Sequence, residues 1–326
     1  MLKNLFASLI GLIASALMME VGLRAYGFSN VTNSTAVEYY ARIAKKRLQE
    51  IATKRPSEIY MVDERLGWRH RPGTHDTHVS PHFSVTYTID ERGYRVGSKA
   101  ASYRPEVLFL GDSFTFGAGV EDHQPYPRVL GETFWRDWHV SNAEVSAWGT
   151  TQAYLLLEEI LAKPERPDVV VYAMIRHNVL RNVPRRGWMR FLGPGHNHLP
   201  LFEVKEGRAE FVRLVGHDDP IAGRKDTRAE RIEVTRLLIV QMHEECKRRG
   251  IPFFFILLPH GPPDWPAGII RTVMEQGIPL IDLTQLEVLT LKGDAHPSPD
   301  GHVQIARAIS RSVLGQTLSE WQQRQN

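Results

Sequence analysis

Two uninterrupted apolar runs limit the fold more than any other feature of this 326-residue chain. Val169-Val170-Val171-Tyr172-Ala173-Met174-Ile175 and Phe253-Phe254-Phe255-Ile256-Leu257-Leu258 have no polar alternation. Strands of that kind are covered on both faces, as in a parallel sheet flanked by helices. Shorter strand candidates fall at 106–110, 138–143 and 278–283. Between them lie helical stretches at about 125–137, 150–163, 226–249, 265–276 and 299–316. The stretch 226–249 carries Ile232, Leu237, Leu238, Val240, Met242 and Cys246 on one side and stops at Gly250. Alternation of this sort specifies an α/β fold, a three-layer α/β/α sandwich around a central parallel five-stranded sheet.

The first of these strands, Val107-Leu108-Phe109-Leu110, runs straight into Gly111-Asp112-Ser113-Phe114-Thr115-Phe116-Gly117-Ala118-Gly119. Ser113 then stands at the C-terminal edge of the sheet, where open α/β folds place their ligand crevice. A serine there can present its hydroxyl as a nucleophile, provided an imidazole takes its proton. Asp294-Ala295-His296-Pro297 supplies one from far along the chain. Asp112, beside the serine, is read as a turn-forming carboxylate.

Composition narrows the chemistry. A net charge of +3 gives no reason to expect nucleic acid as a partner. The single cysteine, Cys246, excludes an intramolecular disulfide and a multi-cysteine zinc site. The 14 histidines are scattered, with no His-Glu-x-x-His pattern and no phosphate-binding glycine loop. No metal and no cofactor is expected.

The residues Gly111-Asp112-Ser113, Gly149, Asn178 and Asp294-x-His296 resemble the GDSL or SGNH hydrolases, over roughly residues 104–316. The fold this resemblance implies is the SGNH, flavodoxin-like sandwich. The sequence is not the Gly-x-Ser-x-Gly elbow of the α/β hydrolases, because position 115 is Thr. The resemblance implies Ser113 as nucleophile, His296 as general base and Asp294 as its orienting carboxylate. It implies an oxyanion hole from the Ser113 and Gly149 backbone N–H groups and the Asn178 side chain. Two departures from the family stand out. Asp-x-His replaces Asp-x-x-His, and Arg176-His177-Asn178-Val179 replaces Gly-x-Asn-Asp. His177 is the competing oxyanion donor, Asn182 is a more distant one, and His302 is the rival base. His260 lies at the end of a strand and has no assigned role.

Other stretches set the domain plan. Lys3 precedes the apolar run 5–19, which reads as a signal anchor or signal peptide within 1–27. A spanning helix needs about 20 apolar residues. Many exported bacterial SGNH proteins resemble this arrangement, which implies an inner-membrane partner and a periplasmic body. Residues 28–58 read as a helical stalk, 59–103 as a β-rich lead-in, and 317–326 as a polar tail. Within the lead-in, Phe83-Ser84-Val85-Thr86-Tyr87-Thr88-Ile89 alternates like a strand. The 183–225 insertion is either a substrate lid or a surface elaboration. Arg181, Arg185, Arg186 and Arg190 near its start are either a site for an anionic group or a solvated basic loop. The expected activity is a serine esterase acting on an ester or an acylated glycan. The alternatives are an O-acyltransferase serving an extracytoplasmic polysaccharide and a non-catalytic glycan-binding protein.

Overall fold

The computed structural model describes residues 59–80, 82–98, 105–192, 198–260 and 267–325. The expected anchor and stalk, residues 1–58, lie outside them. Among the described residues no helix is long and apolar enough to cross a membrane.

The lead-in forms two antiparallel pairs. β1 (Tyr60–Asp63) pairs with β2 (Gly67–His70), and β3 (His75–Val79) with β4 (Ser84–Thr88). The central sheet follows with β5 (Glu106–Leu110), β6 (His139–Asn142) and β7 (Val169–Met174). A hairpin of β8 (His198–Lys205) and β9 (Arg208–Gly216) interrupts it, before β10 (Phe253–Leu257) and β11 (Leu280–Asp282) complete it. The five sheet strands are all parallel, in the order β6-β5-β7-β10-β11. Counted along the sheet this is 2-1-3-4-5, the flavodoxin-like winding. Its topological switch point lies between the first and third strands, here β5 and β7. The loops leaving β5 and β7 carry Ser113 and Asn178, so the chain's winding brings these distant residues to one crevice.

The expected sheet strands are found within two residues of their positions. Val169–Met174 and Phe253–Leu257 are buried at every position, as continuous apolar runs require. One core lies on each sheet face. Leu108, Leu110, Val170, Tyr172, Met174, Phe253 and Phe255 point to one side, toward the Thr150–Leu161 and Arg228–Lys247 helices. Val107, Phe109, Val171, Ala173, Phe254 and Ile256 point to the other, toward the Pro299–Ser310 helix.

Three expectations about helices are corrected. The stretch 125–137 is a short α-helix, Tyr126–Val129, that passes into a π-helical turn, Leu130–Phe134. The stretch 299–316 is two helices, Pro299–Ser310 and Val313–Gln325, because Ser312 restarts the chain by accepting the Leu314 N–H. The stretch read as a polar tail from 317 therefore lies mostly inside a helix. Leu318 is buried, and Trp321 packs on Trp138 with ring centroids 4.4 Å apart. Exposed Gln and Arg residues hid a helix that needs only one narrow apolar stripe.

The β8–β9 hairpin packs into the core. Leu199, Leu201, Phe202, Ala209 and Val215 are buried, and Gln241 bonds both the N–H and the carbonyl of Ala209, at 2.7 and 3.0 Å.

Candidate active site

The Ser113 turn is built from both ends. Asp112 caps the Ser113–Phe116 helix, its Oδ1 accepting the Phe114 N–H at 3.0 Å. Gly117 closes that helix at φ 85, a left-handed conformation that a side chain strains against. Behind it the fully buried Arg95 donates to the carbonyls of Phe116, Gly117 and Val120 at 2.7, 2.6 and 2.6 Å. Arg95 belongs to the lead-in, as does Tyr87, whose hydroxyl accepts the Gly119 N–H at 2.8 Å. The β-rich segment thus braces the loop that carries the serine.

Across the crevice, His296 Nε2 lies 2.8 Å from Ser113 Oγ, and its Nδ1 lies 2.6 Å from Asp294 Oδ1. The same Asp294 oxygen accepts the His296 backbone N–H at 3.0 Å. That double contact explains why a spacing of two suffices: the carboxylate folds under its own turn and meets the imidazole there. The loop is tight. Leu291 N–H donates to the His296 carbonyl and Ser298 N–H to that of Leu289, each at 2.9 Å. Ser298 then caps the following helix. Ser113 is 6% exposed, and the His296 side chain is 28% exposed, so the imidazole is open to a substrate.

His302, the rival base, is fully buried. Its Nδ1 accepts the Tyr126 N–H at 3.2 Å, and burial pulls its pKa down to about 3. It is a neutral structural residue. His260 and His177 do lie beside the site. The rings of His296, His260 and Phe114 cluster, Phe114 being 5.2 Å from His296 and 4.7 Å from His260, and His177 is a further 4.7 Å from His260. Burial first, and neighbouring cations next, lower His260 to about 4 and lower His177. Both are therefore uncharged at neutral pH and add no charge repulsion to an imidazolium at His296.

The expected oxyanion donors are close to one another but differently occupied. Ser113 is the first residue of its helix, so its N–H has no intrahelical acceptor. The Gly149 N–H donates to Gln152 Oε1 at 2.9 Å. Asn178 is fully buried. Its Oδ1 accepts the Ile175 N–H at 2.8 Å, and its Nδ2 donates to the Trp148 carbonyl at 3.1 Å, leaving one amide hydrogen. Asn182 serves the scaffold, donating to Thr150 and Thr235 at 2.9 and 2.6 Å. It also explains why position 149 is glycine: a Cβ there would lie 2.5 Å from Asn182 Oδ1.

Arg181 joins these loops, a role the sequence did not suggest. One of its nitrogens donates to Asp112 Oδ2 at 3.1 Å and to the Trp148 carbonyl at 3.0 Å. The guanidinium also sits 5.0 Å from the Trp188 ring centre. The serine turn, the Gly149 loop and Asn178 are thereby fastened into one unit. Burial raises the Asp112 carboxyl above its ordinary range, while Arg181 and the Phe114 N–H oppose the rise.

Glu144 is a second group the sequence did not flag. It is fully buried on the loop after β6, and among the described residues neither carboxyl oxygen has a well-formed hydrogen bond, although the Val145 N–H favours its charged form. Burial, and then the charge of Asp112, hold its pKa well above the ordinary 4.5. The folded state thus binds this proton more tightly than the unfolded chain. The resulting stability is complete below pH 4.5 and is lost as pH rises toward the folded value. Glu144→Gln keeps the shape without the charge. It should melt above wild type near pH 8, roughly, with the gap closing on acidification. Thermal unfolding followed by circular dichroism checks this, and a gap that does not change with pH would refute it.

Among the described residues no group of three or more His, Cys, Asp or Glu side chains could hold a metal ion.

No family profile matches the chain, and no curated protein matches it. Solved structures do. One is the psychrotrophic esterase EstA from Pseudoalteromonas sp., at 12% identity and a TM-score of 0.42, covering 65% of this chain and 98% of that one. Another is a member of the lipolytic protein G-D-S-L family from Veillonella parvula, at 12% identity and a TM-score of 0.37, covering 63% and 95%. A third is a carbohydrate acetylesterase family member from Sinorhizobium meliloti, at 12% identity and a TM-score of 0.37, covering 63% and 95%. These solved structures, to which this chain is similar, are a G-D-S-L lipolytic protein and esterases.

Proposed function

We propose that the protein is a serine esterase of the SGNH type. The reading rests on one observation: a single imidazole bridges the Ser113 hydroxyl and the Asp294 carboxylate, at 2.8 and 2.6 Å. In the first half-reaction Ser113 Oγ bonds to the ester carbonyl carbon while its proton passes to His296 Nε2. Asp294 fixes the tautomer with the proton on Nδ1 and stabilises the imidazolium without taking that proton. The carbonyl oxygen becomes an oxyanion, facing the Ser113 N–H and the remaining amide hydrogen of Asn178. Gly149 joins them when Gln152 releases its N–H. Losing one such donor costs roughly 3–4 kcal/mol of barrier. The C–O bond then breaks, His296 Nε2 protonates the leaving alcohol, and the acyl group stays on Ser113. Water attacks in turn, giving its proton to His296, and the acid departs as Ser113 is restored.

A fluorophosphonate tests the nucleophile without knowledge of the substrate. Treating purified protein with the probe and mapping the adduct by peptide mass spectrometry should place it on Ser113. A protein that stays unlabelled, or is labelled elsewhere, would remove the basis of the proposal.

A further inference from the structure

The arginine cluster at 181–190 divides in the fold. Arg181 turns inward to Asp112. Arg185 and Arg186 line a cavity of about 480 Å³, together with Arg224, Lys225 and Arg231. Among the described residues five cations thus meet there, and the one carboxylate in the wall is Asp226. Arg185 and Arg231 share it, with Nε to carboxyl oxygen distances of 3.5 and 2.7 Å. Arg224 pairs with Glu230.

Arg186 and Lys225 have no carboxylate partner within ion-pair distance among the described residues. Arg186 donates to two neutral acceptors, the carbonyls of His217 and Asp219, at 3.1 and 3.4 Å. Those bonds aim the guanidinium without pairing its charge. Asp218, between the two carbonyl residues, feels the Arg186 charge only from beyond ion-pair distance; it is fully exposed and paired with His217. The 20-residue Arg228–Lys247 helix begins beside the cavity, so its dipole adds positive potential to the same side. Glycines keep the space open. A Cβ on Gly187 would meet nothing within 4 Å, and one on Gly223 would press on the Arg186 guanidinium at 3.2 Å.

We propose that this cavity is a binding site for a small organic anion, of about monosaccharide size, bearing a phosphate or a carboxylate. Surplus fixed cations select an anion, and guanidinium forks match the oxygens of either group. The volume decides the size. Small-molecule sites span roughly 300–1,000 Å³, and a bare ion would leave most of this cavity to water. The site lies outside the Ser113 crevice and does not depend on the esterase reading.

Titration calorimetry on the purified full-length protein, with glucose 6-phosphate, glucuronate, inorganic phosphate and glucose as probes, tests it. One or both sugar anions should bind, more weakly as salt is raised, and glucose should not. Which anion binds distinguishes phosphate from carboxylate as the recognised group. Gly187→Asp places a carboxylate in the wall without a steric contact. It should weaken binding at least about tenfold while the Tm and the labelling of Ser113 stay unchanged. Arg186→Gln should weaken binding to a similar degree. Failure of both sugar anions to bind would overturn the proposal, as would unaltered affinity in Gly187→Asp or equal binding of glucose. Inorganic phosphate binding as tightly as the sugar phosphate would overturn the assignment of size.

Discussion

Ser113→Ala should reduce kcat for a chromogenic acetate ester by at least about 10⁴-fold, because among the described residues Ser113 carries the hydroxyl beside His296 Nε2. Asp294→Asn is the more informative partner. The asparagine amide can donate to Nδ1, which forces the imidazole proton onto Nε2. The ring then donates to Ser113 where it should accept. The loss should be about 10³–10⁴-fold in kcat with little change in KM, since the substrate crevice is untouched. The double variant should be scarcely worse than Ser113→Ala, as groups acting in one relay are not additive. Steady-state kinetics on the three proteins decides the matter. Wild-type activity that survives intact in Ser113→Ala would exclude the acyl-enzyme route.

Arg181→Met should destabilise the fold by about 3–5 kcal/mol, and lower the Tm by roughly 10 °C. The variant keeps the bulk and removes the charge, leaving Asp112 buried with no cation and taking from the Trp148 carbonyl one of its two donors, the Asn178 amide being the other. Asp112 then has to take up a proton, so the loss should grow as pH rises. Adding Asp112→Asn should recover part of it, because two neutral groups do not carry the penalty of one isolated charge. Urea unfolding of the single and double variants measures both. A single variant as stable as wild type would show that the Asp112–Arg181 pair is not what holds the two loops together.

These predictions separate what lies in the residues from what lies in the folded chain. The sheet was legible because its evidence is local. Runs such as 169–175 and 253–258 need cover on both faces, and β-strands that need it form parallel sheets under helices. Ser113 was legible for a related reason: a short strand, a glycine and a capping Asp leave its position little freedom. His296 and Asp294 were legible by resemblance, and the carboxylate under its own turn accounts for their unusual spacing. Arg181 and Arg95 were not legible. In sequence Arg181 reads only as one of a basic cluster and Arg95 as an ordinary charged residue, and only burial shows which carbonyls and which carboxylate they serve. The same holds for Glu144, whose charge state depends on the absence of water around it.

The Val313–Gln325 helix was missed because its apolar stripe, carried by Leu314, Leu318 and Trp321, is thin among polar residues. The division of the arginine cluster was equally hidden. Four neighbouring guanidinium groups look alike in a string, and their directions are set by backbone turns and distant acceptors. By itself the sequence determined the layered α/β architecture and the serine at the edge of the sheet, since periodicity and turn chemistry act over a few residues; the imidazole expected beside it came by resemblance. Tertiary structure alone decided which charges are buried, which loops they join and where cations collect around open space, because burial and charge pairing are properties of residues brought together from far along the chain.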